Sequence, residues 1–140
     1  MALTSSLFYK FKSIHCRHSN VGEHQVVVFM MFNAKCSNAK FGSIKYLKNI
    51  KGVTGAHIHI GKQGENGPAV ATLFNPSNSG PPTGIVNGLL TAGTITSSQL
   101  TGPLPGKAIS NLVIIIRGGG AYVNVHTTQN QNGEIRGQIS

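Results

Sequence analysis

The sequence predicts an all-β domain, and three observations carry that prediction. Apolar residues come in short runs rather than long ones. Gly, Pro, Asn and Ser separate the runs, with 18 glycines and 6 prolines among 140 residues. Within several runs the apolar residues alternate with polar ones, which is the period of a half-buried strand. No run reaches the roughly 18 apolar residues that a membrane-spanning helix needs. The length suits a single domain with its own core. The architecture expected is one Greek-key-like β-sandwich with a short helical or irregular crossover within 97–116.

In chain order, residues 1–24 are irregular and polar-aromatic, and read as an arm or a degenerate first strand. Residues 25–35, QVVVFMMFNAK, hold seven consecutive β-branched, aromatic or Met residues, too short for a typical helix, and predict a strand. Residues 40–52 form a second strand in which Ile44, Tyr46 and Lys48 share one parity. Strands at 55–60 and 67–74 follow. Residues 75–84, NPSNSGPPTG, are turn chemistry throughout. A broken strand at 85–96 leads to the one helical passage, where Ser97 or Ser98 caps a turn and KAISNLVIII supplies a short helix. Within it NLVIII, residues 111–116, reads as core. Strands at 121–127 and 133–140 close the chain, joined across TQNQN and an Asn-Gly step as a hairpin.

Charge narrows the functional classes. There are 12 Lys and Arg but three acids, all Glu, so the net charge is +9. The absence of Asp argues against paired-carboxylate hydrolysis and carboxylate-rich calcium or magnesium sites. The basic residues scatter instead of forming a block, which argues against a specific nucleic-acid site. Cys16 and Cys36 are compatible with one disulfide, which spacing alone does not establish. The N-terminus lacks the basic leader and sustained apolar stretch of a signal peptide.

The stretch GAHIHIGKQGENGP, residues 55–68, places His57 and His59 on one face of a strand. Ala56, Ile58 and Ile60 then take the other face. In AYVNVHT, residues 121–127, the same parity groups Tyr122, Asn124 and His126 and turns Val123 and Val125 inward. If the two strands are neighbours, three imidazoles meet on an outer face. Imidazole suits copper, zinc, iron and nickel, and a strand holds a His-x-His pair rigidly. His57, His59 and His126 are therefore candidate metal ligands, with Tyr122 and Asn124 beside them. The plain alternative is three surface histidines on a half-exposed sheet. The tract HCRH, residues 15–18, is a weaker ligand candidate, and His24 has no partner in sequence.

Gly61, Gly64 and Gly67 do not make a phosphate loop, because the spacing differs and no helix follows. They are expected to serve turns that need positive φ, with Asn66-Gly67 as a turn core. Glu134 and Arg136 share a strand face and are expected to form a polar clasp, with each other or with Glu65. No serine–histidine–acid arrangement stands out, so a non-catalytic role is expected.

GVTGAHIHIGKQGENGPAVATLF and AYVNVHTTQNQNGEIRGQI resemble the signature halves of the chordin-type (CHRD) domain. The matching segments are 56–59, 61–68, 122–127 and 133–138, and the resemblance spans about residues 26–139. Residues 1–24 do not match the family's usual start, so 25–140 is taken as the CHRD-like domain. The family includes chordin, an extracellular antagonist of bone morphogenetic proteins, and bacterial proteins. The resemblance thus implies a β-sandwich of the immunoglobulin and superoxide dismutase kind, an extracellular or cell- or spore-surface setting, and a protein partner or surface assembly. A fainter resemblance links the site to copper–zinc superoxide dismutase, where His57, His59 and His126 are similar to three copper ligands. The loop 61–84 has neither the Asp nor the His that its zinc half would need. Copper, with zinc as the alternative, is the metal this implies.

Overall fold

The computed structural model describes residues 8–9, 14–15, 25–32, 41–79 and 84–139, with side chains for 49–77, 84–91 and 93–139. Two short strands, β1 (Phe8–Tyr9) and β2 (Ile14–His15), precede β3 (Gln25–Phe32) and β4 (Phe41–Lys51). Next come β5 (Val53–Ile60), β6 (Ala69–Phe74), a one-turn helix α1 (Pro76–Ser79) and β7 (Ile85–Ile95). A 3-10 turn (Ser97–Gln99) and helix α2 (Ile109–Arg117) lead to β8 (Ala121–Thr127) and β9 (Ile135–Ile139).

The strands form two antiparallel sheets. One runs β1-β3-β4-β7, with β2 also on β3, and the other runs β6-β5-β8-β9. The chain changes sheet between β4 and β5, returns between β6 and β7, and changes again between β7 and β8. Each return lands beside a strand already laid down, β7 against β4 and β8 against β5. This is the Greek-key-like sandwich the sequence predicts, and its crossover before β8 carries α2. Among the described residues no helix is long and apolar enough to cross a membrane.

The core lies between the sheets and follows strand parity. Ala56, Ile58, Val123, Val125, Ile135 and Ile139 are buried, and Ile60 is half-buried against them. Ile50 and Ile95 meet them from the facing sheet, and Ile109, Leu112 and Ile116 enter from α2. Because side chains alternate across a strand, this burial fixes the register that turns His57, His59 and His126 to the other face.

Three expectations need correcting. Residues 111–116 are not core throughout, since Ile114 is 66% exposed. A helix buries one stripe, and Leu112 and Ile116, one turn apart, take it. Gly67 is not a positive-φ residue, as Gly64 is at +87°. A Cβ on Gly67 would instead run into the carbonyl oxygen of Ile60, so close backbone approach excludes a side chain there. Finally, the histidine face is not an open sheet surface, because Tyr122 is 2% and Asn124 7% exposed. Loop hydrogen bonds explain the cover: Gly67 N donates to the Tyr122 hydroxyl, and Asn124 Nδ2 donates to the Asn132 carbonyl. The N-terminal candidates Cys16, His18, Glu23, His24 and Cys36 lie outside the described residues, as does the side chain of His15.

Candidate metal centre

On the face away from the core, β5, β8 and β9 present a small lattice of side chains. Gly55 stands opposite His126. His57 stands opposite Asn124, which is opposite Arg136. His59 stands opposite Tyr122, which is opposite Gln138. Directly opposed residues have Cβ atoms about 5 Å apart. His59 and His126, on different strands and different rows, are therefore too far apart to share a metal unless their rings lean inward.

They do lean inward. Ring centroids are 5.1 Å apart for His57 and His126, 6.0 Å for His57 and His59, and 6.1 Å for His59 and His126. Gly55 explains the closest pair. A Cβ there would lie 3.2 Å from His57 Cε1, so the missing side chain leaves the ring a seat beside His126. One nitrogen from each histidine lies within 4.8 Å of the other two. Metal–nitrogen bonds of ~2.0–2.1 Å bring ligand nitrogens to about 3–4 Å apart, so side-chain rotations on the order of 1 Å would close the site.

Two backbone carbonyls set the tautomers. His59 Nδ1 lies 2.8 Å from the Gly67 carbonyl oxygen, and His126 Nδ1 lies 2.8 Å from that of Gln131. A carbonyl only accepts, so each Nδ1 carries the proton and donates it. In the neutral ring, the form that can ligate, this leaves the lone pair on Nε2. At His59 that Nε2 is buried and has no hydrogen-bond partner. An imidazole held by its far nitrogen, with a bare lone pair on the near one, is the donor arrangement of a metal ligand. His57 is held below the usual histidine value, first by burial and then by the neighbouring His126 and His59. The same surroundings favour the neutral ring, the form that ligates.

The loop over this face is fastened by residues that the sequence marked only as structural. Tyr122 stacks on His59 at 5.1 Å and 18°, and the Arg136 guanidinium lies 3.5 Å over the Tyr122 ring. Arg136 also donates to Asn66 Oδ1 and to the carbonyls of Lys62 and Glu65. The expected clasp thus runs from Arg136 to loop carbonyls and an amide, not to a carboxylate. Glu134 accepts instead from Thr127 and Asn130. Gln138 ties down the other end by donating to the carbonyls of Gly61 and Gly119.

Sequence reasoning missed Gly55 and the carbonyls of Gly67 and Gln131. Gly55 carries a signal, a residue without a side chain directly before the Ala-His-Ile-His strand. The carbonyls carry none, because every residue has one.

Neither the comparison with curated proteins nor that with solved structures gave a significant match, and the dismutase likeness is not shown. The family model for the CHRD domain does match, over residues 26–139, and covers every strand from β4 to β9 and all three histidines. The chain belongs to the CHRD-domain family.

Proposed function

We propose that this CHRD domain is a non-catalytic module that binds a transition metal ion through His57, His59 and His126. Copper is the favoured ion and zinc the alternative. One observation carries the reading: three imidazoles converge, two of them oriented by backbone carbonyls, and the Nε2 of His59 is buried without a partner. A buried acceptor with no donor is costly, and a cation relieves that cost. Among the described residues no Asp, Glu or Cys joins the group, so the donors are neutral nitrogens. Such a set suits copper or zinc and not calcium or magnesium, and the Irving–Williams order puts Cu²⁺ above Zn²⁺.

A metal that binds only the folded chain raises its melting temperature by mass action. Micromolar Cu²⁺ is expected to raise the melting temperature at pH 7.5 and to do so far less at pH 5, where protons compete for the imidazoles. His126→Ala is expected to lose most of the shift, since the remaining pair on one strand makes a weaker site. A flat response in wild type and variant at both pH values would instead favour a structural or adhesive surface domain with incidental histidines. A dismutase-like enzyme is a third reading and would further require copper-dependent superoxide turnover.

A further inference from the structure

We propose that Asn132 is a modification site, which deamidates spontaneously through its Asn-Gly step, and that the product unseats the loop that orients His126. The modification stands apart from the metal reading. Its effect on copper rests on the three-histidine reading above.

The sequence holds three Asn-Gly steps, Asn66-Gly67, Asn87-Gly88 and Asn132-Gly133, and all three asparagines are exposed. In such a step the glycine nitrogen can attack the asparagine Cγ, because glycine has no side chain to shield it. The fold restrains the three unequally. Asn66 Oδ1 accepts from Arg136, while Gly67 donates its N–H to the Tyr122 hydroxyl and packs on the Ile60 carbonyl. Asn87 Oδ1 accepts from Asn49 N at 2.7 Å, and Gly88 lies inside β7 opposite Leu47. The Asn132 side chain makes no hydrogen bond among the described residues, and its step lies in the loop between β8 and β9. One turn bond, from Gly133 N to the Asn130 carbonyl at 3.1 Å, must open to free the nitrogen. A local loop opening of that kind costs far less than opening a strand.

The reaction needs only water. The Gly133 nitrogen gives up its proton and bonds to Asn132 Cγ, and Nδ2 leaves as ammonia. Water then opens the succinimide at either carbonyl. One opening leaves an aspartyl residue at position 132. The other leaves an isoaspartyl residue, whose main chain is longer by a methylene and whose former backbone carbonyl is a free carboxylate. The loop has no slack for that change. The Gln131 carbonyl holds His126 Nδ1 at 2.8 Å, and the Asn132 carbonyl accepts from Asn124 Nδ2 at 3.1 Å. Gly133 is seated so closely that a Cβ there would overlap the Asn124 amide. Lengthening the chain between these contacts therefore breaks the one that orients His126.

The test is incubation of the metal-free chain in mildly alkaline buffer, followed by peptide mass mapping and isoaspartate methyltransferase labelling. Modification is expected at position 132 on the order of tenfold faster than at 66 or 87, the value of one or two further hydrogen bonds. In urea, where those bonds are gone, the three steps should react at similar rates. Asn132→Gln should stay unmodified at that position and keep its fold. Aged wild type should lose Cu²⁺ affinity in step with its isoaspartate, while aged Asn132→Gln keeps it. Nitrogen NMR of the His126 ring reads the same event without metal, as a falling share of the Nδ1–H tautomer. Modification at 66 or 87 as fast as at 132, or a preference that survives urea, would overturn the site. An unchanged His126 tautomer in the isoaspartyl chain would overturn the unseating. Wild type that binds no Cu²⁺ would remove the metal reading alone, and the tautomer would then decide.

Discussion

His59 has one ring nitrogen engaged with the Gly67 carbonyl and the other buried without a partner, and the account of the site turns on that asymmetry. Tyr122 maintains it twice, by stacking on the ring and by accepting from Gly67 N, the amide of the residue whose carbonyl holds His59. Tyr122→Phe keeps the stack and removes the hydroxyl. It is expected to weaken Cu²⁺ binding several-fold, whereas Tyr122→Leu, which loses both, weakens it more. Isothermal titration of the three proteins checks the order. At Gly55 the prediction is steric: Gly55→Val displaces the His57 ring from beside His126. Copper affinity should fall in that variant while the metal-free fold persists, as read by circular dichroism. His57 adds a pH dependence of its own. Its folded-state value lies below the ordinary 6.5, so near pH 6.5 the folded chain binds fewer protons than the unfolded one. The stability contribution is present above that pH and is lost as pH falls through the folded value. Metal-free wild type should therefore lose melting temperature on acidification below pH 6.5, and His57→Gln should lose less.

At the scale of elements, the helix and the loops make separate predictions. In α2, Ile116 is buried and Ile114 exposed, although the two stand in one apolar run. Ile116→Ala is expected to cost about 2–5 kcal/mol by urea unfolding, and Ile114→Ala less than about 0.5 kcal/mol. The loop 61–68 is fastened by Arg136, so Arg136→Gln should raise amide hydrogen exchange there and lower copper affinity, with β3 and β4 unchanged. Most strands were legible because period-two alternation reports which face is buried, as at Ala56, Ile58, Val123 and Val125. The helix was legible as an element, but its exposed face was not, because ISNLVIII is apolar almost throughout. Gly67 misled for a related reason: sequence shows a glycine in a turn but not whether φ or space demands it. The cover over Tyr122 and Asn124 was invisible because it depends on contacts such as Gly67 to Tyr122, 55 residues apart.

At the scale of the molecule, two segments distant in sequence share one sheet. β5 and β8 are 60 residues apart in the chain and direct neighbours in space, and the crossover through β7 and α2 makes them so. The sandwich core fixes their register on one face and thereby places three histidines on the other. The most direct test of that account is an EPR spectrum of the chain with one equivalent of Cu²⁺ at pH 7.5, compared with His57→Ala, His59→Ala and His126→Ala. The account predicts a single copper environment with three imidazole nitrogens, reduced to two in each variant. A spectrum of free copper, or one that any of the three variants leaves unchanged, would contradict it.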